Sequence, residues 1–479
     1  MKKIYSLFLA VLALAAFSAC NSVDLQPEEP EAPQTEAEEV SPKEWKVSIQ
    51  ASKGGSTKAL SESGNTITAS WEAGDVVYIC NSSYEFGTMT AQSSGSTTKL
   101  IGTVTRTMKV GSTYTLRYLQ RGQNNLYLPN QKGTLEDIAK NHDMAEATVT
   151  VKSVDGNEVV FNEASVQFES RICITKFTFN CSIVDLYIFS TNLKTFVRPG
   201  YSGDYCFLQV KPEAETTTVY AAMSTKDDSK SVFSFLAKDK DDTYLVAVKT
   251  ASLKNGKNYA ASVVLTPMPD YVDLGITRDG HSVCWGTRNL GASGPGKPGN
   301  YYAWAETSTK STYSWDNYAY GSYSWITKYD PDRPDQGVVD GLASLLPEDD
   351  AAVVNTTESG WRTPGKNDFS DLLNSSSIIE YKNVYADGTW GYVFISKKEG
   401  YEGRFVFIPR TMGYYKDDAL TNTGYSYYWS ANIDQQSWTS SSFANTMYFS
   451  NPNTNYPTSP TVSRMDRAYG LCIRPVYVQ

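Results

Sequence analysis

Few residue types in this sequence are placed to do chemistry on a bound substrate. The 479 residues include two histidines, His142 and His281. This scarcity argues against a multi-histidine metal site and against a histidine proton relay. The formal net charge of −9 argues against a nucleic-acid partner, because phosphate binding needs clustered positive charge. We therefore predict no catalytic residues, no metal, no cofactor and no enzymatic activity.

Aromatic residues are the best candidates for a binding surface. A row of them lies in a Gly/Ser-rich stretch: Tyr313, Trp315, Tyr318, Tyr320, Tyr323 and Trp325. If exposed, such a row would stack on sugar rings or anchor a protein partner. Packing of this loop on its own domain is the alternative, since exposed apolar patches are uncommon. Trp285, Trp361 and Trp429 are instead predicted to lie in the core, because large aromatics dominate core burial.

The N-terminus has the pattern of an export signal. Lys2 and Lys3 precede an apolar run over residues 4–17, which is shorter than the roughly 20 residues that span a bilayer. Residues 1–19 are therefore predicted to be a signal peptide. The sequence Phe-Ser-Ala-Cys at 17–20 resembles a bacterial lipobox, which implies that Cys20 carries palmitate-type acyl chains. The expected location is the outer membrane, with the protein exposed at the cell surface as a lipoprotein.

The segment that follows Cys20 is predicted to be a spacer. Residues 21–44 hold eight acidic residues, one basic residue and four prolines, and they lack Phe, Tyr, Trp and Ile. Such a composition cannot bury a core, and self-repulsion and proline extend it. Residues 20–44 would therefore separate a lipid anchor from the folded domains.

Short strands fill the middle of the chain. Residues 66–71 alternate as a half-buried strand does, and Asp155-Gly156 predicts a hairpin with a type I′ turn. Residues 231–237 and 243–249 predict a second hairpin, and only residues 135–142 have a helical pattern. This pattern favours two consecutive β-sandwiches, over residues 45–150 and 151–266.

Three short motifs in this region resemble the Mfa-like fimbrillins of Bacteroidota. They are Thr57-Lys58-Ala59, residues 71–77 (WEAGDVV) and residues 253–259 (LKNGKNY). The resemblance implies two transthyretin-like β-sandwiches and a role as a pilus subunit or adhesin. It also implies other pilus subunits as partners, joined by strand addition to a sheet edge. Because no arginine precedes Arg106, the family's arginine-directed maturation is not expected, and an anchored or capping subunit is favoured.

The composition changes in the last third of the chain. Residues 266–269 (TPMP) predict a linker, because proline cannot continue a central strand. Eight of the ten tryptophans follow it. Residues 348–355 and 366–373 predict short helices among short strands and long loops, which is an α+β pattern. Arg362 and Arg474 are predicted to be structural arginines that form ion pairs or bind backbone carbonyls.

Segments over residues 271–479 resemble, in order, the Fibrobacter major paralogous domain. They are residues 271–275 (YVDLG), 283–287 (VCWGT), 289–292 (NLGA), 299–307 (GNYYAWAET), 359–364 (SGWRTP), 407–409 (FIP), 428–430 (YWS), 447–449 (MYF), Gly470 and 473–476 (IRPV). The resemblance implies a C-type-lectin-like fold whose first and last strands pair. That pairing implies a Cys284–Cys472 disulfide. The fragments Asn451-Pro452-Asn453 and Trp315-Asp316-Asn317 stand in the wrong order for a lectin calcium site, so no calcium is predicted.

The predicted fold class is thus mainly β, with an α+β C-terminal domain. The predicted function is that of a surface-anchored adhesin or a pilus-tip or anchor subunit, whose last domain presents a surface to a host glycan or protein. The alternative is a glycan-binding surface lipoprotein for nutrient capture. An enzyme related in fold to the sulfatase-activating enzymes is the remaining alternative, but the sequence shows no activated nucleophile or base.

Overall fold

Strands dominate the protein, as predicted. The computed structural model describes residues 44–54, 61–63, 66–82, 84–119, 126–197, 206–421, 424–435, 441–450 and 458–479. The predicted signal peptide, Cys20, the acidic spacer and the Thr57-Lys58-Ala59 motif lie outside these residues. In the part that is described, no helix has both the length and the apolar character needed to cross a membrane.

The first strands form a sheet that closes on itself. The elements in this region are β1 (Trp45–Gly54), β2 (Ser61–Ser63), β3 (Thr66–Thr68), β4 (Val76–Cys80), β5 (Glu85–Ala91), β6 (Thr97–Val104), β7 (Thr113–Leu119), β8 (Leu126–Tyr127), α1 (Leu135–Asn141), β9 (Met144–Asp155), β10 (Glu158–Phe161) and β11 (Ser165–Ser170). Eight of these strands pair in the order β10-β1-β11-β9-β7-β4-β5-β6, and a further pairing of β1 with β6 closes the sheet. We call this closed sheet the barrel.

The barrel follows from the alternation of its strands. In β1, every second residue is buried, while the residues between them are exposed or half-buried. The inward side chains pack around the fully buried Trp71, Leu100 and Phe168. The predicted boundary at residue 150 falls inside β9, and β10 and β11 return to pair with β1.

The predicted helix and hairpin of this region are both present, but the predicted type of turn in the hairpin is wrong. Helix α1 occupies residues 135–141, and Thr134 caps it by accepting a hydrogen bond from the Asp137 amide. The β9–β10 hairpin forms, but its two turn residues are Gly156 and Asn157. Only Gly156 has a positive φ, 58°, which suits a type II′ turn and not the predicted type I′ turn.

A second set of strands builds two facing sheets. These strands are β12 (Cys173–Ile183), β13 (Asp185–Phe189), β14 (Phe196–Val197), β15 (Phe207–Val210), β16 (Thr216–Met223), β17 (Lys230–Lys238), β18 (Tyr244–Ser252), β19 (Asn258–Val263) and β20 (Thr266–Pro267). The order is β16-β12-β19 in one sheet and β15-β13-β17-β18-β20 in the other. A core that includes Phe177, Ile188 and Phe235 lies between them. We call this pair of sheets the sandwich.

The predicted linker at residues 266–269 is partly wrong. Thr266 and Pro267 form β20, which pairs with Val246 and Leu245 of β18 at the edge of the five-stranded sheet. Proline is tolerated there because an edge strand needs to donate hydrogen bonds on one side at most. The chain therefore enters its last third while still attached to the sandwich.

The last third contains three larger sheets and short helices. Its strands are β21 (Tyr271–Val272), β22 (Thr277–Arg278), β23 (His281–Gly286), β24 (Tyr301–Tyr302), β25 (Gly321–Ser322), β26 (Trp325–Ile326), β27 (Trp361–Arg362), β28 (Ile379–Ala386), β29 (Thr389–Ser396), β30 (Phe405–Pro409), β31 (Tyr414–Lys416), β32 (Ala419–Thr421), β33 (Tyr425–Ile433), β34 (Phe443–Ser450), β35 (Thr461–Asp466), β36 (Leu471–Cys472) and β37 (Val476–Val478). Its helices are α2 (Ala351–Val354) and α3 (Lys366–Asn374), with 3₁₀ turns at Trp315–Asn317 and Pro347–Asp349. Both predicted helices are present, and β23 near the start pairs with β37 at the end.

The C-terminal domain packs on the sandwich through a third sheet layer. Strands β28, β29 and β30 form a sheet whose residues Phe405 and Phe407 meet Tyr187 and Phe189 of β13 in one apolar cluster. The rings of Phe189 and Phe405 lie 5.4 Å apart. Strand β13 is thus buried on both faces, since Ile188 of the same strand points into the sandwich core.

Polar contacts and a glycine complete this junction. The Tyr244 hydroxyl donates to Asp387 at 2.9 Å, and the Ser234 hydroxyl donates to the Gly403 carbonyl at 2.6 Å. Gly403 has φ of 77°, and a Cβ there would lie 2.2 Å from Val232 Cγ1. Only glycine permits this approach. Residues 44–479 form one compact unit.

Candidate recognition site

The structure divides the predicted aromatic row into a packed part and an exposed part. Tyr313 and Tyr318 are buried, with 3% and 6% of their surfaces exposed. Trp315 and Tyr320 are half-buried. Tyr323 and Trp325 are 53% and 48% exposed. The row is therefore packed at Tyr313 and Tyr318 and exposed at Tyr323 and Trp325.

The packed rings are held by hydrogen bonds as well as by contact. The Tyr318 hydroxyl donates to the Trp304 carbonyl at 3.0 Å, and the Tyr313 hydroxyl donates to the Tyr301 carbonyl. Burial raises the pKa of both hydroxyls, so they remain protonated donors. Trp315 then stacks edge-on against Tyr318, with ring centroids 5.3 Å apart. These contacts fix the base of the segment.

A buried carboxylate fixes the other side of the segment. Asp349 accepts hydrogen bonds from the hydroxyls of Tyr320 and Tyr329 and from Lys328 Nζ. Burial alone raises the pKa of the Asp349 carboxyl, but these three hydrogen bonds outweigh it and lower the pKa below its ordinary value. The carboxylate therefore stays ionised and binds Tyr320 through a charge-assisted hydrogen bond.

The exposed rings stand on a short hairpin between these supports. In the pairing of β25 with β26, Ser322 faces Trp325 and Gly321 faces Ile326. Ile326 is buried, with 1% exposed. Because side chains alternate along a strand, Trp325 points outward. The Tyr323 ring at the turn lies 5.7 Å from the Trp315 ring, which links the exposed pair to the packed rings.

Two valines extend this exposed surface. The Val338 amide donates to the Ile326 carbonyl at 2.8 Å, which aligns residues 336–338 beside β26. Val338 and Val339 are 50% and 46% exposed. Tyr323, Trp325, Val338 and Val339 together are called the aromatic patch. The sequence analysis missed both valines, since they lie in an Asp-rich stretch with no aromatic neighbour.

Charged side chains are frequent in the stretch of chain that carries the patch. Asp316, Asp332 and Asp335 are exposed there, and the half-buried Arg333 has its Nε 3.8 Å from Asp332 Oδ1. Lys328 is half-buried and ion-paired. An exposed apolar surface of this kind can stack on the faces of sugar rings or contact a protein segment.

The structure does not join the predicted disulfide partners. Cys284 and Cys472 are both buried free thiols. Cys284 lies on β23 opposite Tyr477, whereas Cys472 lies on β36 opposite Tyr301 and Tyr428, in a different sheet. The end strands do pair as the resemblance implied, but Cys472 precedes the strand that makes this pairing.

The predicted structural residues are largely where the sequence placed them. Trp285 and Trp429 are buried in the core, and Trp361 is half-buried. Arg474 is fully buried and donates to the carbonyls of Gly286 and Phe407 at 3.0 and 2.9 Å. Arg362 forms an ion pair with Asp368 at 2.6 Å.

Within the described ranges, no group of three or more His, Cys, Asp or Glu side chains is placed to hold a metal ion. Of the two calcium-site fragments considered above, Asn451-Pro452-Asn453 lies outside the described residues. In the other, Trp315–Asn317 forms a 3₁₀ turn.

Comparison with known proteins gives distant structural neighbours. No family model matches the chain, and no curated protein matches it. A provisionally named cell adhesion protein from Bacteroides uniformis aligns at 13% identity and a TM-score of 0.29, over 47% of this chain and 97% of its own. A fimbrial protein from Bacteroides ovatus aligns at 11% identity and a TM-score of 0.23, over 90% of this chain and 99% of its own.

A third neighbour is the tip fimbrial protein Mfa3 from Porphyromonas gingivalis, truncated at its C-terminus. It aligns at 9% identity and a TM-score of 0.23, over 50% of this chain and 83% of its own. At such TM-scores the alignments do not assign the chain to a family.

Proposed function

We propose that this protein is a surface adhesin whose aromatic patch binds its ligand. The observation that carries the proposal is the exposure of Tyr323 and Trp325 on a hairpin that is braced by packed rings and by Asp349. A rigid exposed aromatic pair loses little conformational entropy on binding, and such residues dominate binding energy at interfaces. The ligand class proposed is a glycan.

The junction with the sandwich supports this role. The cluster around Phe189 and Phe405 seats the C-terminal domain on the sandwich through an apolar interface. An apolar interface resists the relative domain motion that is usual between domains joined by a linker. The patch is therefore carried on a stiff support, as a binding surface under load requires.

Glycan-array binding of the purified full chain tests the proposal, with Trp325→Ala as the key variant. Loss of a central aromatic anchor costs about 2 kcal/mol or more, which is roughly 30-fold in Kd. Tyr84→Ala is the matched control, since Tyr84 is 56% exposed but lies in the barrel. Glycan binding that falls in Trp325→Ala and persists in Tyr84→Ala supports the proposal.

Three other outcomes separate the alternatives. Binding to host cells or host proteins, with no glycan bound, would retain an adhesin but replace the ligand class. Selective binding to one dietary polysaccharide would favour nutrient capture. Glycan binding that is unchanged in both Trp325→Ala and Tyr323→Ala would remove the aromatic patch as the site.

The cellular setting forms the second part of the proposal. Acylation at Cys20 would hold the chain on the outer membrane, and other pilus subunits would add a strand to an open sheet edge. Palmitate labelling that disappears in Cys20→Ala supports the anchor, and labelling that persists contradicts it. Immuno-electron microscopy tests assembly, since label along or at the ends of pili supports it and label confined to bare membrane does not.

A further inference from the structure

A lysine and an aspartate are buried together inside the barrel. Lys53 lies on β1, and Asp75 lies directly before β4. Their side chains are 0% and 2% exposed, and Lys53 Nζ lies 3.2 Å from Asp75 Oδ2. Removing two opposite charges from water is costly, and their mutual attraction often fails to compensate for it. Simple ion pairing is therefore a weak explanation for the burial of these two side chains.

Aromatic rings enclose the lysine amine. Lys53 Nζ lies 4.1 Å from the ring centroids of both Trp71 and Tyr118. Both rings are themselves buried, with 0% and 2% exposed, and the Phe168 ring packs on Trp71 at 5.2 Å. The amine and the carboxyl thus meet in a site with little access for water.

Both partners are also held in orientation. The Glu72 amide donates to Asp75 Oδ2 at 3.0 Å, and Lys53 Nζ donates to the Ser70 carbonyl at 3.4 Å. These contacts come from the loop between β3 and β4, so the carboxyl and the amine share one rigid frame. Reacting groups held about 3–3.5 Å apart gain a large effective concentration over free partners.

We propose that Lys53 and Asp75 form an intramolecular amide bond. The lone pair of the neutral amine attacks Asp75 Cγ, a C–N bond forms, and one C–O bond of the carboxylic acid breaks. The oxygen leaves as water, with one hydrogen from the acid and one from the amine. No oxidant or other reactant is needed. The reacting species are the uncharged amine and the carboxylic acid.

The bond would lock the first described strand into the barrel. β1 pairs with β6, β10 and β11, so its removal would open the closed sheet. Only noncovalent contacts, the ladder hydrogen bonds of β1 and the packing of its inward side chains, are described as resisting a pull on the N-terminal side of β1. An amide between Lys53 and Asp75 would stop the strand from leaving the sheet. This inference does not depend on the proposed ligand.

A tryptic map of the full chain, denatured after purification, tests the proposal. Trypsin cleaves after Lys46, Lys58 and Lys99, but an acylated Lys53 is not cleaved. We expect peptide 47–58 covalently joined to peptide 59–99, with a mass equal to their sum less one water molecule. A buried ion pair separates on denaturation and gives none of this species.

The Lys53→Arg variant is the control, because it keeps the charge and cannot form the lysine amide. Its digest should contain peptides 47–53 and 59–99 unlinked. The wild-type digest carries the test by itself, so the result stands whether or not this variant folds. Recovery of wild-type peptides 47–53 and 59–99 in full, with no linked species, would overturn the proposal.

Discussion

Replacing Phe189 with alanine tests whether the sandwich and the C-terminal domain unfold as one unit. Phe189 is fully buried on β13, and its ring meets Phe405 of the C-terminal domain. Removing a buried phenylalanine ring leaves a cavity and costs about 3–5 kcal/mol. This is a large share of the roughly 5–15 kcal/mol that stabilises a typical domain. We expect Phe189→Ala to destabilise both partners.

Tryptophan fluorescence and circular dichroism follow different parts of the chain during unfolding. Eight of the ten tryptophans follow residue 270, so urea unfolding followed by fluorescence reports mainly the C-terminal domain. Phe189 itself lies in the sandwich. If the junction couples them, Phe189→Ala moves the fluorescence midpoint to lower urea together with the circular dichroism transition.

Two control variants sharpen the comparison. Ile188→Ala removes a neighbouring side chain that points into the sandwich core, and it should cost about 2–5 kcal/mol. Val160→Ala alters a side chain of the barrel that is 42% exposed, and it should change stability by about 0.5 kcal/mol or less. A fluorescence midpoint that does not move in Phe189→Ala, while the dichroism transition does, would refute the coupled junction.

Two further predictions concern ionisation and thiols. Burial raises the pKa of the Asp137 carboxyl, but hydrogen bonds led by that from His142 outweigh it and lower the pKa to about 2. The stabilisation is therefore present at neutral pH and is lost as pH falls from about 4 through 2. The difference in unfolding free energy between wild type and Asp137→Asn, measured in urea melts, should close over that range. A difference that stays constant with pH would contradict this prediction. Cys284 and Cys472 should both react with iodoacetamide in denaturant without a reductant, as measured by mass spectrometry. Alkylation that requires a reductant would instead support the disulfide.

Local features of the fold were predictable from the sequence because their causes are local. Residues 231–237 and 243–249 were predicted as a hairpin and form β17 and β18, and a glycine marked the turn between β9 and β10. The helix at 366–373 was found to within a residue, with Gly365 at its start and Asp368 accepting a hydrogen bond from the Gly365 amide. The turn type was missed because it depends on which of two residues adopts a positive φ.

The site could be predicted only in part. The sequence marked the row from Tyr313 to Trp325 as aromatic, but burial depends on what each ring meets. Tyr318 reaches the Trp304 carbonyl, whereas Trp325 points to the face opposite that of its neighbour, the buried Ile326, on a two-residue strand. Val338 lies beside β26 because its amide donates to the Ile326 carbonyl, and no sequence periodicity predicts this contact.

The sequence by itself determined the strand-rich character and the aromatic content of the last third, since these depend on residue type and spacing along the chain. Tertiary structure alone decided that β13 is buried on both faces, that Lys53 meets Asp75 inside a ring of aromatics, and that Cys284 and Cys472 lie in different sheets. Each of these features depends on which segments, distant in sequence, pack against one another. That packing is set by the free energy of the complete fold and not by any local segment.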